Sequence, residues 1–260
     1  MRSAIQLYTL REYGDSTTDR VELAGEAGFD AVELAGVPNE EEVGDLSLEL
    51  AAHDLDVAAA HVDAETLETE PDVVADRLGQ LDCGRAVVPY LPEEAFASAA
   101  AVDETAHRLT TLSEELSALG VDLSYHNHDH EFQSLRSSDD RANGEGRPVS
   151  EAGDGTAFDR LLQETDDHVG VEFDVGWAVA AGSDPVELLE RVPERVDLVH
   201  FKDTADGVPV QLGEGDVDLD ACAEAAREIG AEWAVYEHDD PDDPETDVAE
   251  GQEALAALLE

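Results

Sequence analysis

Short apolar segments alternate with helical segments along the whole chain, and this alternation limits the fold more than any other feature. Eight segments have the apolar composition of buried strands. They are residues 3–8, 30–34, 56–60, 85–89, 121–126, 169–174, 197–201 and 233–237. A helical segment follows each of them, at residues 17–27, 39–53, 71–80, 93–119, 158–164, 184–192, 217–229 and 247–259. Strands that alternate with helices predict a parallel sheet.

Eight strand–helix units in 260 residues predict one α/β domain over residues 1–260, a (β/α)₈ TIM barrel. A doubly wound sheet is the alternative. That fold usually carries a glycine-rich nucleotide turn after its first strand, whereas YTLREYG stands there in this chain. A polar insertion near residues 133–155 follows the fifth strand, as either a lid or a surface loop.

The net charge is far from zero. The chain has 14 Lys and Arg residues against 65 Asp and Glu residues, a formal charge of −51. Such a surface repels phosphate backbones and anionic lipids, so we expect neither a nucleic-acid partner nor a membrane partner. It also repels itself in dilute salt, whereas at about 1 M salt the Debye length falls to about 3 Å. We therefore expect a salt-rich cytoplasm, as in halophilic organisms.

The two cysteines and the first residues agree with a cytoplasmic location. Cys83 and Cys222 lie in different segments and form no CxxC motif, so they provide neither a disulfide framework nor a cysteine metal site. The start of the chain lacks a basic segment followed by an apolar core, and we predict no signal peptide.

Polar residues gather where the predicted strands end, which is where the active site of such a barrel lies. Four of the nine histidines and the only lysine occupy these ends. The residues at these positions are Glu33, His61, His126, His128, Asp174, His200, Lys202 and Glu237. Alternate residues of a strand face the same side. His128 and Lys202 therefore share a side with His126 and His200 if the chain stays extended.

Four of these side chains form a mixed nitrogen and oxygen donor set. We predict that His126, Asp174, His200 and Glu237 bind one divalent ion, and the set suits Mn²⁺, Zn²⁺, Co²⁺ or Fe²⁺. Structural interpretations remain open for each residue: a histidine of the barrel core, a carboxylate that caps a loop, or a solvated carboxylate beside other acids.

Lys202 is a functional candidate on composition alone. The sequence has 13 arginines and this one lysine, placed between His200 and Asp203. A chain that has almost no lysine on its surface keeps one beside predicted metal ligands. The alternative is a buried structural ion pair.

Seven segments, taken together, resemble one known family. They are IQLYTLRE (5–12), GFDAVELAG (28–36), YHNHDHEF (125–132), EFDVGW (172–177), VHFKD (199–203), LGEGDVD (212–218) and YEHD (236–239). They look like the xylose isomerase-like TIM barrel superfamily, in particular its sugar phosphate isomerase/epimerase branch. The resemblance runs from the first strand to the last. It implies one divalent metal at the barrel mouth, held at His126, Asp174, His200 and Glu237.

The chain departs from this family at the fifth strand. Many members have glutamate where His126 stands, and they use it with the glutamate of the eighth strand as a pair of proton-transfer groups. Only Glu237 of that pair is present here. Trp177 replaces a histidine of some members, and it serves either as core packing or as an aromatic wall for a sugar.

We therefore expect a metal-dependent isomerase or epimerase of a sugar or polyol that carries a carbonyl. Glu237 or His128 would transfer the proton, and Lys202 would stabilise negative charge. Glu33, His61, Trp177 and Lys202 would contact the substrate. Expulsion of a β-hydroxyl would instead give a dehydratase. Two further alternatives are a catalytically silent sugar- or partner-binding barrel and an endonuclease-like barrel, which the negative charge disfavours. Barrels of this kind often pair, so a homodimer is an open expectation.

The charge generates a prediction about stability. Raising KCl from about 0.1 M to about 1 M should raise the melting temperature, because screening at this ionic strength removes most repulsion between exposed carboxylates. An uncharged osmolyte that changes no ionic strength is the control. A melting temperature that does not respond to KCl would contradict the expectation of a salt-adapted protein.

Overall fold

The computed structural model describes residues 1–135 and 155–260, and it confirms the predicted barrel. Eight parallel strands close into a ring. They are β1 (Arg2–Gln6), β2 (Ala31–Leu34), β3 (Asp56–His61), β4 (Arg85–Val88), β5 (Asp122–His126), β6 (Val169–Asp174), β7 (Val196–Phe201) and β10 (Trp233–Tyr236). Strand β1 closes the ring by pairing with both β2 and β10. A short antiparallel hairpin of β8 (Asp203–Ala205) and β9 (Val208–Val210) follows β7.

Helices surround the ring in the described residues. They are α1 (Thr17–Ala27), α2 (Glu40–Ala52), α3 (Ala64–Thr69), α4 (Pro71–Gln80), α5 (Ala99–Ser117), α6 (Ala157–Glu164), α7 (Val175–Ala180), α8 (Pro185–Arg191), α9 (Leu219–Ile229) and α10 (Pro244–Leu259). Short 3₁₀ turns occupy Leu7–Leu10, Glu93–Phe96, His130–Phe132 and Pro193–Arg195. None of the helices in this part of the chain combines the length and the apolar character needed to cross a membrane.

Helix ends lie where the sequence predicts them when a specific capping residue is present. Ser16 and Asp19 form a capping box at the start of α1, and Asn39 and Glu42 form one at the start of α2. Gly28 ends α1 in the left-handed conformation with φ of 94°, which glycine adopts without a steric penalty.

The predicted helix over residues 93–119 is wrong in its first part. Ser98 adopts an extended backbone and its hydroxyl accepts the N–H of Ala101, so α5 begins at residue 99. The alternation of apolar and polar residues also did not predict the short helices α3 and α7 or the hairpin after β7. Of the predicted insertion over 133–155, residues 136–154 lie outside the described residues. An antiparallel bridge between Ser134 and Thr156 joins the chain at the start of this insertion to the chain directly after it.

Side chains inside the barrel form layers. The deep layer is apolar and holds small residues such as Ala4, Ala31 and Ala59 around Trp233 and Leu198. Residues that alternate with them face outwards and pack against the helices. Toward the carboxyl ends of the strands, the inward positions become polar and charged. The fold therefore supports the charged layer on a close-packed apolar floor.

Glycine allows helix α10 to lie close to the barrel wall. A Cβ added at Gly251 would overlap the ring of Tyr236 on β10. We expect Gly251→Ala to lower the free energy of unfolding by about 1–3 kcal/mol, as overpacking does. Gly44 is exposed in helix α2 with nothing within 4 Å of such a Cβ, so Gly44→Ala should instead stabilise by about 0.5–1 kcal/mol. Denaturant unfolding at one salt concentration measures both, and equal effects would contradict the packing described.

Candidate metal centre and active site

Strand register brings the predicted site residues together at the barrel mouth. His126 lies beside Glu172 in the β5–β6 pair, and Asp174 lies beside His200 in the β6–β7 pair. Val235 lies beside His200 in the β7–β10 pair, so Glu237 stands two residues further along. All of these charged or imidazole side chains are buried. Their positions follow from the pairing of neighbouring strands and do not depend on long loops.

Two groups of side chains have the composition and spacing of a metal site. The outer group consists of His126, Asp174, His200 and Glu237, and the inner group consists of His61, His126, Glu172 and His200. In each group, one donor atom from every residue lies within 4.8 Å of the others. The outer group is the predicted ligand set. The inner group was not predicted, and it shares His126 and His200 with the outer one.

The two carboxylate oxygens of Asp174 have different roles: one caps a helix, and the other faces the outer group. Its Oδ1 accepts the backbone N–H of Trp177 at 2.8 Å and so caps helix α7. Its Oδ2 is buried, and it lies 3.7 Å from Nε2 of His126 and 3.3 Å from the ammonium of Lys202. A buried carboxylate needs a positive charge or a metal ion beside it. This oxygen, among two imidazoles and a second carboxylate, therefore fits a bound cation.

Glu172 and Glu33 contact the ring nitrogens of His126 and His200 that face away from the outer group. Oε2 of Glu172 lies 2.8 Å from Nδ1 of His126 and 2.8 Å from Nε2 of His61. Oε2 of Glu33 lies 2.7 Å from Nε2 of His200 and accepts a hydrogen bond from Nε2 of Gln6 at 2.8 Å. The two glutamates therefore form a buried carboxylate pair one layer deeper in the barrel than Asp174.

Lys202 lies at the centre of a group of three carboxylates. Its Nζ is 3.3 Å from Asp174 Oδ2, 3.0 Å from Glu237 Oε2 and 2.8 Å from Asp239 Oδ2. Burial disfavours its charge, but these three carboxylates outweigh burial and raise the pKa of Lys202 above its usual value. Its ammonium also lies 4.8 Å from the ring centre of Trp177. The only lysine is therefore a permanent positive charge.

His128 faces a cavity beside the outer group. Its ring makes an edge contact with Tyr90 and stacks on Trp177. Burial, together with the nearby His126 and Lys202, lowers the pKa of His128 to about 2, so its imidazole stays neutral. Its Nδ1 is buried and has no hydrogen-bond partner. This nitrogen therefore has a hydrogen bond left to make with a hydroxyl group of a bound molecule.

Burial and neighbouring charge move the other site groups in opposite directions. Burial, with the adjacent charge of Glu172, raises the pKa of Glu33 to about 7. Burial lowers the pKa of His126. Burial opposes the positive charge of His200 as well, but Glu172 and Glu33 outweigh it and raise the pKa of His200 well above its usual value. For Glu237, Lys202 and His200 outweigh burial and hold its pKa well below the usual range.

The cavity at the mouth has a volume of about 500 Å³. It is lined by His61, His126, His128, Lys202 and Glu237, and by the half-exposed rings of Tyr8 and Tyr90. Glu33 and Trp177 are not in this wall. Glu33 lies beneath His200, and Trp177 lies behind His128. Their predicted contacts with a substrate stay predictions.

Three residues near the site were not among the predicted site residues. Glu172 is two positions before Asp174 on β6, and strand alternation was the signal that could have identified it. Asp239 begins an acidic run in the sequence, DDPDD (239–243), and its side chain pairs with Lys202. Asn127 exchanges two hydrogen bonds with the backbone of Asp174, at 3.2 and 3.0 Å, and so joins the ends of β5 and β6.

A second cavity, of about 450 Å³, lies at the opposite end of the barrel. Arg2 and Arg85 line it, and they pair with Asp56 and Asp197 at 2.6 Å. It contains neither of the metal-type groups found among the described residues. The chemistry of the described residues is therefore concentrated at the carboxyl end.

Comparison with known proteins identifies the family of this barrel. The family model described as "xylose isomerase-like TIM barrel" matches residues 21–258. The chain belongs to this family. The rhizopine catabolism protein MocC of Rhizobium meliloti is 30% identical over 129 residues, which cover 49% of this chain and 34% of that protein. The inosose dehydratase of Lacticaseibacillus casei is 30% identical over 101 residues, which cover 31% of this chain and 34% of that enzyme. The chain thus matches about a third of the length of these curated relatives.

A solved structure shares the whole architecture of this xylose isomerase-like barrel. It is a sugar phosphate isomerase/epimerase from Parabacteroides distasonis, with a TM-score of 0.82, 18% identity and coverage of 100% of both chains. At this level of identity the match shows the common fold.

The charges around Lys202 generate a prediction about metal-free protein. Lys202→Met leaves Asp174, Glu237 and Asp239 without their ammonium, and we expect the free energy of unfolding to fall by about 3–5 kcal/mol. Asp239→Asn in the same chain should recover part of this loss because it removes one of the repelling charges. Denaturant unfolding with a chelator present measures both, and an unchanged stability of the single variant would show that the lysine does not compensate these carboxylates.

Proposed function

We propose that this xylose isomerase-like barrel is a divalent-metal-dependent isomerase or epimerase that moves a proton on the carbon beside a carbonyl of a sugar or polyol. The single observation that carries this proposal is the convergence of the four outer-group donors next to an open cavity. Concave sites that combine apolar walls with a few polar groups and perturbed titratable groups are the usual places for such chemistry.

The donors of the outer group fit a metal ion. His126, Asp174, His200 and Glu237 provide two imidazole nitrogens and two carboxylates, and one donor atom of each lies within 4.8 Å of the others. This set suits Mn²⁺, Zn²⁺, Co²⁺ or Fe²⁺. When bound, such an ion polarises a carbonyl and makes the adjacent C–H more acidic.

The remaining steps fall to side chains of the chain itself. Glu237 stays ionised and can accept a proton from a substrate carbon. Neutral His128 lines the cavity and has an unpaired Nδ1, with which it can hydrogen-bond to a substrate hydroxyl. Its lowered pKa makes it a weak base, so Glu237 is the first candidate for taking the proton. Lys202 provides a permanent positive charge for the oxygen that becomes negative. His61, in the same wall, can bind a further hydroxyl.

The site is asymmetric, which bears on the type of reaction. On the strand-five side, His126 is held by Glu172 at 2.8 Å and is not a free carboxylate base. An epimerisation between two carboxylates is therefore disfavoured, and Glu237 with His128 is the pair that remains. The same single carboxylate supports loss of a β-hydroxyl. Similarity to inosose dehydratase favours dehydration as the second candidate.

The experiment that tests this proposal incubates metal-loaded protein with keto-sugars and inososes in heavy water. Deuterium in an isomeric product supports an isomerase or epimerase, and a product that has lost water supports a dehydratase. Chelator-treated protein is the control. If metal-loaded protein neither exchanges C–H groups nor forms any product, the barrel is catalytically silent toward these substrates and the proposal is wrong.

The ligand roles lead to a separate prediction about metal content. Asp174→Ala and His200→Ala should each lose the bound metal, and activity with it, because each removes a donor from the outer group. Lys202→Met should keep the metal, because it removes a neighbouring positive charge, and it should lower turnover. Elemental analysis of folded protein measures the content, and full metal in both alanine variants would show that the ligands lie elsewhere.

A further inference from the structure

Each imidazole shared by the two groups lies between two carboxylates. His126 directs Nδ1 to Glu172 at 2.8 Å and Nε2 toward Asp174 at 3.7 Å. His200 directs Nε2 to Glu33 at 2.7 Å and Nδ1 to Glu237 at 3.0 Å. The outer and inner groups therefore use opposite nitrogens of the same two rings. A metal ion in the outer group needs a lone pair on Nε2 of His126.

The tautomer of a neutral imidazole is set by its stronger hydrogen bond. An ionised carboxylate only accepts, so the ring nitrogen that faces it at close range carries the proton. At His126 the close partner is Glu172, at 2.8 Å, whereas Asp174 Oδ2 is too far away for a hydrogen bond. The lone pair of His126 therefore points to the outer group.

Glu172 itself is held firmly in place. It is fully buried, and the same oxygen lies 2.8 Å from Nε2 of His61 and 3.3 Å from Nε2 of His200. Its register partner on β5 is His126. A carboxylate fixed by strand pairing and by a second imidazole has little freedom to turn away from the ring that it orients.

We propose that Glu172 is the positioning residue of the metal centre: it holds His126 in the Nδ1–H tautomer and leaves Nε2 to bind the divalent ion. This inference rests on the proposed function. The neutral His126 and the buried Glu172 act as one unit, in which the imidazole provides the donor and the carboxylate beneath it provides the negative charge.

The test uses Glu172→Gln, which keeps the size of the side chain and removes its charge. The amide can donate to Nδ1 as well as accept from it, so the single tautomer is lost. We expect Mn²⁺ or Zn²⁺ affinity to fall about 10–100-fold, as for other groups that orient metal-ligating histidines. Competition against a chelating dye measures the affinity, and circular dichroism checks that the variant is folded.

A matched control comes from another buried imidazole–carboxylate pair. Nδ1 of His238 lies 2.6 Å from Oδ1 of Asp247, and neither residue belongs to the two metal-type groups. Asp247→Asn should leave metal affinity unchanged. Nitrogen-15 NMR of labelled histidine adds a direct measurement: the proton of His126 should be on Nδ1 in metal-free protein, and Zn²⁺ should bind through Nε2.

A second variant separates orientation from general damage. His126→Glu replaces the imidazole with a carboxylate, which binds a metal without any tautomer to fix. Combined with Glu172→Gln, it should restore much of the affinity that Glu172→Gln loses. His126→Glu alone should bind poorly, because it brings two carboxylates together. A pure folding defect at Glu172 would not be repaired by a change of ligand.

Three results would overturn the inference. Glu172→Gln could bind metal as tightly as Asp247→Asn, the double variant could bind no better than Glu172→Gln, or Zn²⁺ could bind through Nδ1 of His126 and so occupy the inner group. The first two results leave metal in the outer group, and therefore leave the proposed function intact. The third moves the ion away from Asp174 and Glu237 and contradicts the proposed ligand set as well. If the unaltered protein binds no metal, the proposed function and this inference both fail.

Discussion

Carboxylates buried beside one another at the barrel mouth need positive charge close by, and the arrangement of the whole site follows from this requirement. Glu33, Glu172, Asp174 and Glu237 are all at most 5% exposed. An isolated buried carboxylate is strongly destabilising unless it is paired or hydrogen-bonded. Lys202 and the surrounding histidines provide part of that compensation, and a divalent ion would provide the rest. The same groups that make the layer costly to bury therefore make it suited to hold a cation.

Strand pairing and local caps place this charged layer with little help from loops. Asn127 joins the ends of β5 and β6, and Asp174 caps the helix that follows it. Asp203 accepts the N–H groups of Gly213 and Gly215 at 2.9 Å and so anchors the segment after Lys202. The result is an asymmetric site. One wall offers the ionised carboxylate of Glu237, paired with Lys202, and the opposite wall offers the imidazole of His126, held by Glu172.

The fold could be predicted because it depends on periodic patterns, and the outer group because each member ends its own strand. Glu172 does not end its strand as the outer-group residues do, although alternation places it on the same face of β6 as Asp174. Asp239 was missed because its contact with Lys202 depends on side-chain packing at the mouth, which a run of acids conceals. The break before helix α5 depends on one capping hydroxyl, that of Ser98, within an otherwise helical sequence. The inner group combines side chains from four different strands. No short stretch of sequence shows how close these side chains lie to one another.

The most direct measurement is an anomalous scattering map of crystals grown with Mn²⁺ or Zn²⁺. The account predicts one peak per chain in the outer group, within about 2.0–2.2 Å of the donor atoms of His126, Asp174, His200 and Glu237 if the ion is Zn²⁺. The absence of a peak at the barrel mouth, or a peak bound by His61 and Glu172 in the inner group, would contradict it.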